Sequence, residues 1–267
     1  MRKKIIIILF LIICAGSGYF IVSKKNKPDM ATLPSQADDQ VQQNLQSQVS
    51  SDLNSNETEQ KTQPLDVKIP QKIEQKVPFV VQAPFANWKD PVFQNACEEA
   101  AIVMAMGWVN EDKIISAQDT QKRIKSIVDF ENKKFGYNTD TDINDMQIIF
   151  RDFFYYSNIN IQEKITLTDI KNEIQKENIV LVPAFGQALK NPNYTAPGPV
   201  THMLVIIGYN PTAKKFITND SGTKHGKNYL YPEDILFNAI WEYPSGSEVP
   251  NFPKKTRKKG MLVITKH

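Results

Sequence analysis

Cys97, His202 and the pair Asn219-Asp220 are the residues of this chain whose types and order describe a reaction. A thiol attacks as its thiolate, and the partial positive charge at a helix start favours that form. Cys97 sits where a helix is expected to begin. An imidazole is the side chain best suited to take a proton near neutral pH, and His202 opens the apolar run Met203–Ile207. A carboxylate or carboxamide can fix the imidazole tautomer, and Asn219-Asp220 ends the following apolar segment. The order thiol, imidazole, Asn or Asp is that of a thiol hydrolase. An oxyanion needs donors as well. The Cys97 N–H is one, and the Gln82 or Gln94 side chain is the other.

Each of these residues also has a plain structural reading. Cys97 also reads as a small buried core residue, and Glu98-Glu99 beside it oppose a thiolate by like charge. His202 can be a core histidine satisfied by backbone groups, although its alternatives are few: His225 lies in the Gly222–Gly226 loop and His267 is the last residue. Asn219-Asp220-Ser221-Gly222 is a good turn by itself. Asp140–Asp145 resembles the start of a calcium loop but lacks the central glycine and closing glutamate, so a helix cap accounts for it. Neither zinc-ligand spacing nor a phosphate-binding glycine loop is present.

The elements that must position these groups follow from periodicity. Helices are expected over Ala96–Val109, Ser116–Lys133, Asp142–Tyr156 (stripe Ile143, Met146, Ile149, Phe150, Phe153) and Thr168–Lys176, the last capped by Thr166 or Thr168. Strands are expected at Val77–Gln82, Ile179–Val182, Met203–Ile207, Lys215–Thr218, Ile240–Tyr243 and Met261–Thr265. Helices precede a mostly antiparallel sheet. This is an α+β segregation with the cysteine in the helical half and the histidine in the sheet half, joined by a cleft whose edge is the loop Phe185–Thr201.

The chain of 267 residues is 41% apolar and 23% charged, which suits one globular domain with additional segments. Its net charge of +3 hides an asymmetry. Residues 1–27 carry Arg2, Lys3, Lys4, Lys24, Lys25 and Lys27 and no acid, so the remainder is mildly acidic and a nucleic-acid partner is not indicated. The late run Lys254–Lys259 reads as a solvated hairpin loop or as a contact for an anionic surface. The 2 cysteines, Cys14 and Cys97, form no disulfide framework.

Ile5–Val22 is apolar or small throughout and follows a basic start, which fits a membrane anchor or a signal segment. A lipid on Cys14 is disfavoured by Ile13 before it. Residues 23–72 are polar and nearly lack aromatics, as expected of a disordered linker. The domain arrangement is then 1–22 anchor or signal, 23–72 linker and 73–267 folded domain, with the folded part outside the cytoplasmic membrane, or secreted if the first segment is cleaved.

Three blocks resemble the peptidase-family-39-like proteins, relatives of the bacteriocin-processing double-glycine-leader peptidases in the papain-like clan. Val77–Trp88 resembles the family's opening motif, Ala96-Cys97-Glu98-Glu99-Ala100 the nucleophile motif of one branch, and His202–Asn210 with Asn219–Thr223 the base-and-orienter block. The resemblance spans about residues 75–243. Two departures are visible: Glu98-Glu99 replaces a common Gly-Pro, and Ser221 a frequent proline.

The resemblance implies a papain-like α+β fold, with Cys97 as nucleophile, His202 as base, Asp220 as orienting acid (Asn219 the runner-up) and Gln82 as oxyanion donor. It implies a cysteine peptidase without a cofactor or metal, acting on a peptide or protein substrate; with the apolar N-terminal run, the expectation is a membrane-tethered monomer. The rival readings are a cell-wall peptide amidase or transpeptidase using the same residues, and a catalytically silent binding domain on the same fold.

Overall fold

The computed structural model describes residues 71–246 and 257–266, all within the unit Asp66–His267. The apolar run 5–22, Cys14, the polar segment up to residue 70, His267 and the first part of the basic run, Lys254 to Thr256, lie outside the described residues. Among the described residues no helix is long and apolar enough to cross a membrane.

The helices form where capping chemistry and apolar spacing coincide. A short α1 (Pro91–Gln94), not anticipated from periodicity, is started by Asp90, which accepts from the Val92 N–H at 3.0 Å. After it comes α2 (Cys97–Val109), in which every residue from Cys97 to Trp108 is buried. A helix apolar on all sides belongs at the centre of a fold. The small residues Ala100, Ala101, Ala105 and Gly107 let its neighbours approach closely. A Cβ on Gly107 would lie 2.7 Å from Pro78 Cγ and 2.8 Å from Ile115 Cδ1.

Ser116 caps α3 (Ala117–Lys134) by accepting from the Asp119 N–H, and Lys133 and Lys134 sit in its last turn, where the helix dipole favours cations. Asp142 caps α4 (Ile143–Ile148) through the Asn144 and Asp145 N–H groups, both at 2.9 Å, so part of the acidic run at 140–145 serves as a helix cap. The expected helix to Tyr156 instead widens into a π turn at Ile149–Phe153 and stops. Thr166 and Asp169 form a capping box for α5 (Leu167–Gln175).

Seven strands form one antiparallel sheet: β1 (Ile73–Glu74), β2 (Ile159–Glu163), β3 (Ile179–Phe185), β4 (Thr201–Asn210), β5 (Lys215–Asn219), β6 (Tyr229–Pro232) and β7 (Gly260–Ile264). Their order is β2-β7-β3-β4-β5-β6, with β1 paired to β4 at Gly208 and Tyr209. The α+β character expected from the sequence is what the chain adopts.

Two expected strands are not formed. Val77–Gln82 lies outside the ladder. Pro78 has no N–H to offer a neighbour, and the run is held instead by Asn219 Nδ2 on the Val77 carbonyl (3.3 Å) and by the Gln82 N–H on the Ser221 carbonyl (3.1 Å). Ile240–Tyr243 makes a single bridge, Ile240 to Ala184, because it leaves the end of an unanticipated helix α6 (Glu233–Ala239).

The sheet is also covered on both faces rather than one. Ile179, Leu181, Met203, Val205 and Ile207 pack with α2, α3 and α4, while Val180, Val182, Leu204 and Ile206 pack with α5 and α6. Burial on both sides explains why β3 and β4 read as continuous apolar runs rather than as alternating ones. In the described end of the basic run Lys258 is exposed, whereas Lys259 Nζ donates to the Ile240 carbonyl at 3.3 Å and to that of Phe237, closing the C-terminal end of α6.

Candidate active site

The strand register brings histidine and aspartate together. β4 and β5 pair Val205 with Asn219. Continuing that register puts Asp220 opposite Leu204, on the same face as His202 and two residues away, a diagonal that long side chains span. His202 Nε2 lies 2.8 Å from Asp220 Oδ1, and both residues are buried. Asp220 Oδ2 accepts from Tyr194 Oη (2.6 Å), Tyr231 Oη (2.7 Å) and Asn191 Nδ2 (3.0 Å), and Oδ1 also accepts the Gly222 N–H (3.1 Å). Burial by itself would raise the Asp220 pKa. The His202 charge and the hydrogen bonds from His202, Tyr194 and Tyr231 outweigh it and hold the carboxyl below the usual range. The same burial, with the Asp220 charge, drives both tyrosine hydroxyls upward, so they remain donors.

Asn219, the other candidate orienter, faces away. Its Nδ2 holds the Val77 carbonyl and its Oδ1 accepts the Asn228 N–H at 3.2 Å. Successive residues of a strand point to opposite faces, so only one member of the Asn-Asp pair can reach the ring, and it is Asp220.

With Nε2 engaged, His202 has Nδ1 left for proton transfer. Nδ1 makes no hydrogen bond among the described residues. The ring stands edge-on to Tyr194, centroids 5.5 Å apart. Together with Cys97 it lines a cavity of about 490 Å³, whose wall also includes Gln82, Trp88, Glu98, Asp140 and Tyr194. The loop expected at the cleft edge is here: Asn193, Tyr194, Thr195, Pro199 and Val200 all line the cavity.

Cys97 is the first residue of α2, and its N-cap, Ala96, supplies no side-chain hydrogen bond. The sulfur is a free thiol, 6% exposed. It donates to Glu98 Oε2 at 3.0 Å. Burial pushes the thiol pKa well up, and the charges of Glu98 and Glu99 push the same way, while a hydrogen bond from the Met203 backbone N–H opposes them. That last contact ties the sulfur to the residue next to His202. The two glutamates do not form a solvated acidic first turn, because each is only 1% exposed. Burial raises the Glu98 carboxyl to about 7, moderated by hydrogen bonds from Tyr243 and Cys97.

Gln82 is buried and lines the cavity, whereas Gln94 lines it from an exposed position. Gln82 Nε2 donates to the carbonyls of Phe93 (3.2 Å) and Gln94 (3.1 Å), which fixes the amide just ahead of the α2 start. His225 is remote from this cavity and lines a neighbouring groove with Phe85 and Trp88. Among the described residues no group of three or more His, Cys, Asp or Glu side chains is placed to hold a metal.

Sequence reasoning missed Asn191, Tyr194 and Tyr231 around Asp220, and Tyr243 and Asp140 around Glu98. Tyr194 was within reach, since it lies on the loop placed beside His202. Tyr243 carries no local signal; only the tertiary fold brings it to Glu98.

The profile of the Peptidase_C39 like family matches residues 74–249, which include all the cavity-lining residues. The chain belongs to the Peptidase_C39-like family. The resemblance read from three sequence blocks is thereby established, over nearly the same span. No curated protein matches the sequence. Among solved structures, one described as a C39-like peptidase from Bacillus anthracis is similar at 10% identity and a TM-score of 0.45, covering 73% of this chain and 98% of that one. As a C39-like protein the chain is a member of a peptidase family. Its α+β architecture, with the Cys97-bearing helix packed on an antiparallel sheet, agrees with the papain-like expectation.

Proposed function

We propose that this C39-like protein is a cysteine peptidase that cleaves peptide bonds through Cys97, His202 and Asp220. The observation that carries the reading is the buried His202–Asp220 pair, whose histidine lines the same cavity as the one thiol among the described residues. Cys97 Sγ attacks the carbonyl carbon as its proton passes to His202 Nδ1. The same nitrogen then protonates the departing amine, and water releases the acyl group from sulfur. Asp220 keeps Nε2 protonated and the ring in place. The Cys97 N–H stabilises the oxyanion, joined by the Gln82 amide when one of its N–H groups leaves the Phe93 or Gln94 carbonyl for substrate. The apolar run 5–22 would hold the enzyme at the outer face of the cytoplasmic membrane.

A second reading has its own observation. The resting thiol donates to a carboxylate and its pKa is raised, as suits a silent binding domain. Iodoacetamide labelling with hydrolysis of a peptide library separates the two. The peptidase reading expects Cys97 to label near neutral pH, His202→Ala to lose that labelling, and Cys97→Ala to abolish cleavage. Labelling confined to alkaline pH and indifferent to His202→Ala, without cleavage, would establish the binding domain.

A further inference from the structure

Glu98 is placed too close to the reacting atom to be a bystander. It lines the cavity with Cys97 and His202 although only 1% exposed. Oε2 accepts the Cys97 S–H at 3.0 Å, and Oε1 accepts the Tyr243 hydroxyl. The titratable groups facing it are Cys97 and Glu99 on α2, Tyr243 beyond α6, and Asp140 from the loop before α4. Glu99 is itself paired to Glu131 of α3. Among the described residues no lysine or arginine forms an ion pair with Glu98, so the cation it can meet in its cavity is a protonated His202.

The two ionisation states of Glu98 have opposite consequences. As a carboxylate it accepts the S–H, which turns the proton away from His202 Nδ1, and its charge repels a thiolate in a water-poor site. As a neutral acid it carries an O–H that can donate to the thiolate, and it adds no repulsion. We propose that Glu98 is a positioning residue for the nucleophile: the competent site holds Glu98 as a neutral acid donating to the Cys97 thiolate, and the ionised form latches the thiol at rest. This rests on Cys97 acting as the nucleophile. In the competent form the thiol proton is on His202 Nδ1 and Glu98 keeps its own. Loss of the Glu98 proton to solvent returns the imidazolium proton to sulfur, which then donates to the carboxylate; one proton leaves the site. Burial holds the Glu98 carboxyl at about 7, where this exchange occurs near neutrality.

The test is the rate of iodoacetamide modification of Cys97 in the full chain, followed by peptide mass from about pH 6 to about pH 8. Wild type is expected to slow about tenfold per pH unit once Glu98 ionises. Glu98→Gln is expected to remove the decline. Tyr243→Phe removes a hydrogen bond that favours the carboxylate, so the decline moves to higher pH. A wild-type rate that rises through this range, with Glu98→Gln on the same curve, overturns the latch. If Glu98→Gln does not fold, an unshifted profile in Tyr243→Phe overturns it. His202→Ala tells the two ideas apart: modification that depends on His202 but not on Glu98 sinks the latch alone, and modification indifferent to His202 sinks the nucleophile reading with it.

Discussion

At the scale of single residues, Asp220 carries the most. It accepts hydrogen bonds from four different side chains and from the Gly222 N–H. Asp220→Asn removes the charge that stabilises imidazolium and turns an amide N–H toward groups that already donate. Peptide turnover is expected to fall by about 100-fold or more, read as kcat with KM little changed. Tyr194→Phe and Tyr231→Phe each delete one charge-assisted hydrogen bond and are expected to cost about 2 kcal/mol each in denaturant unfolding, with smaller losses of turnover because the other donors remain. Gln82→Ala takes away the proposed oxyanion donor; a loss of about 100-fold in kcat is expected, and an unchanged kcat would assign that role elsewhere.

At the scale of elements, close approaches of backbone decide what can vary. The strand-end loop after β5 brings Gly222 against the imidazole: a Cβ there would lie 2.9 Å from His202 Cε1 and 3.3 Å from Tyr194 Cε1. His202 cannot retreat without leaving Asp220. Gly222→Ala is therefore expected to lower the rate of Cys97 labelling while circular dichroism stays native. Gly208 plays a different part, at the point where β1 crosses β4. Its Cβ would meet the Ile73 carbonyl oxygen at 2.2 Å, so Gly208→Ala should detach β1, raising amide exchange at Ile73–Gln75 and leaving exchange at the β3–β4 pairing unchanged. Helix α2 has the least latitude of all, being buried on every side.

At the scale of the whole molecule, buried carboxyls set the pH dependence of stability. Asp220 is held below its ordinary value, chiefly by the His202 charge working against burial. Its contribution is present above the unfolded value of 3.8 and is lost as pH falls through the folded one. Glu98 and Glu99 are raised from 4.5, chiefly by burial. Their contribution is present below 4.5 and is lost as pH rises, for Glu98 through about 7. Urea unfolding is therefore expected to show greatest stability on the acid side of neutrality. Glu99 and Glu131 perturb one another, and Oε2 of each is buried without a hydrogen-bond partner among the described residues. Glu99→Gln keeps a donor but cannot ionise, so it should flatten the neutral limb of that curve; a curve identical to wild type would show that the pair does not titrate there.

Local chemistry determined much of this protein without any structure. Apolar spacing marks α2, and with a Ser or Thr at the N-cap it fixes α3 and α5, because both signals act within one or two turns. The apolar runs fix β3, β4, β5 and β7, and residue type and order single out Cys97, His202 and the pair Asn219-Asp220. The tertiary structure alone decided the rest. Asp220 rather than Asn219 meets the ring because strand pairing sets which face each residue takes. Val77–Gln82 leaves the ladder because its partners, the Asn219 side chain and the Ser221 carbonyl, are distant in sequence. Glu98 and Glu99 lose their solvent because α2 is enclosed by layers built from remote segments, and burial, which no local window records, is what changes a carboxylate from a surface charge into a group that governs the neighbouring thiol.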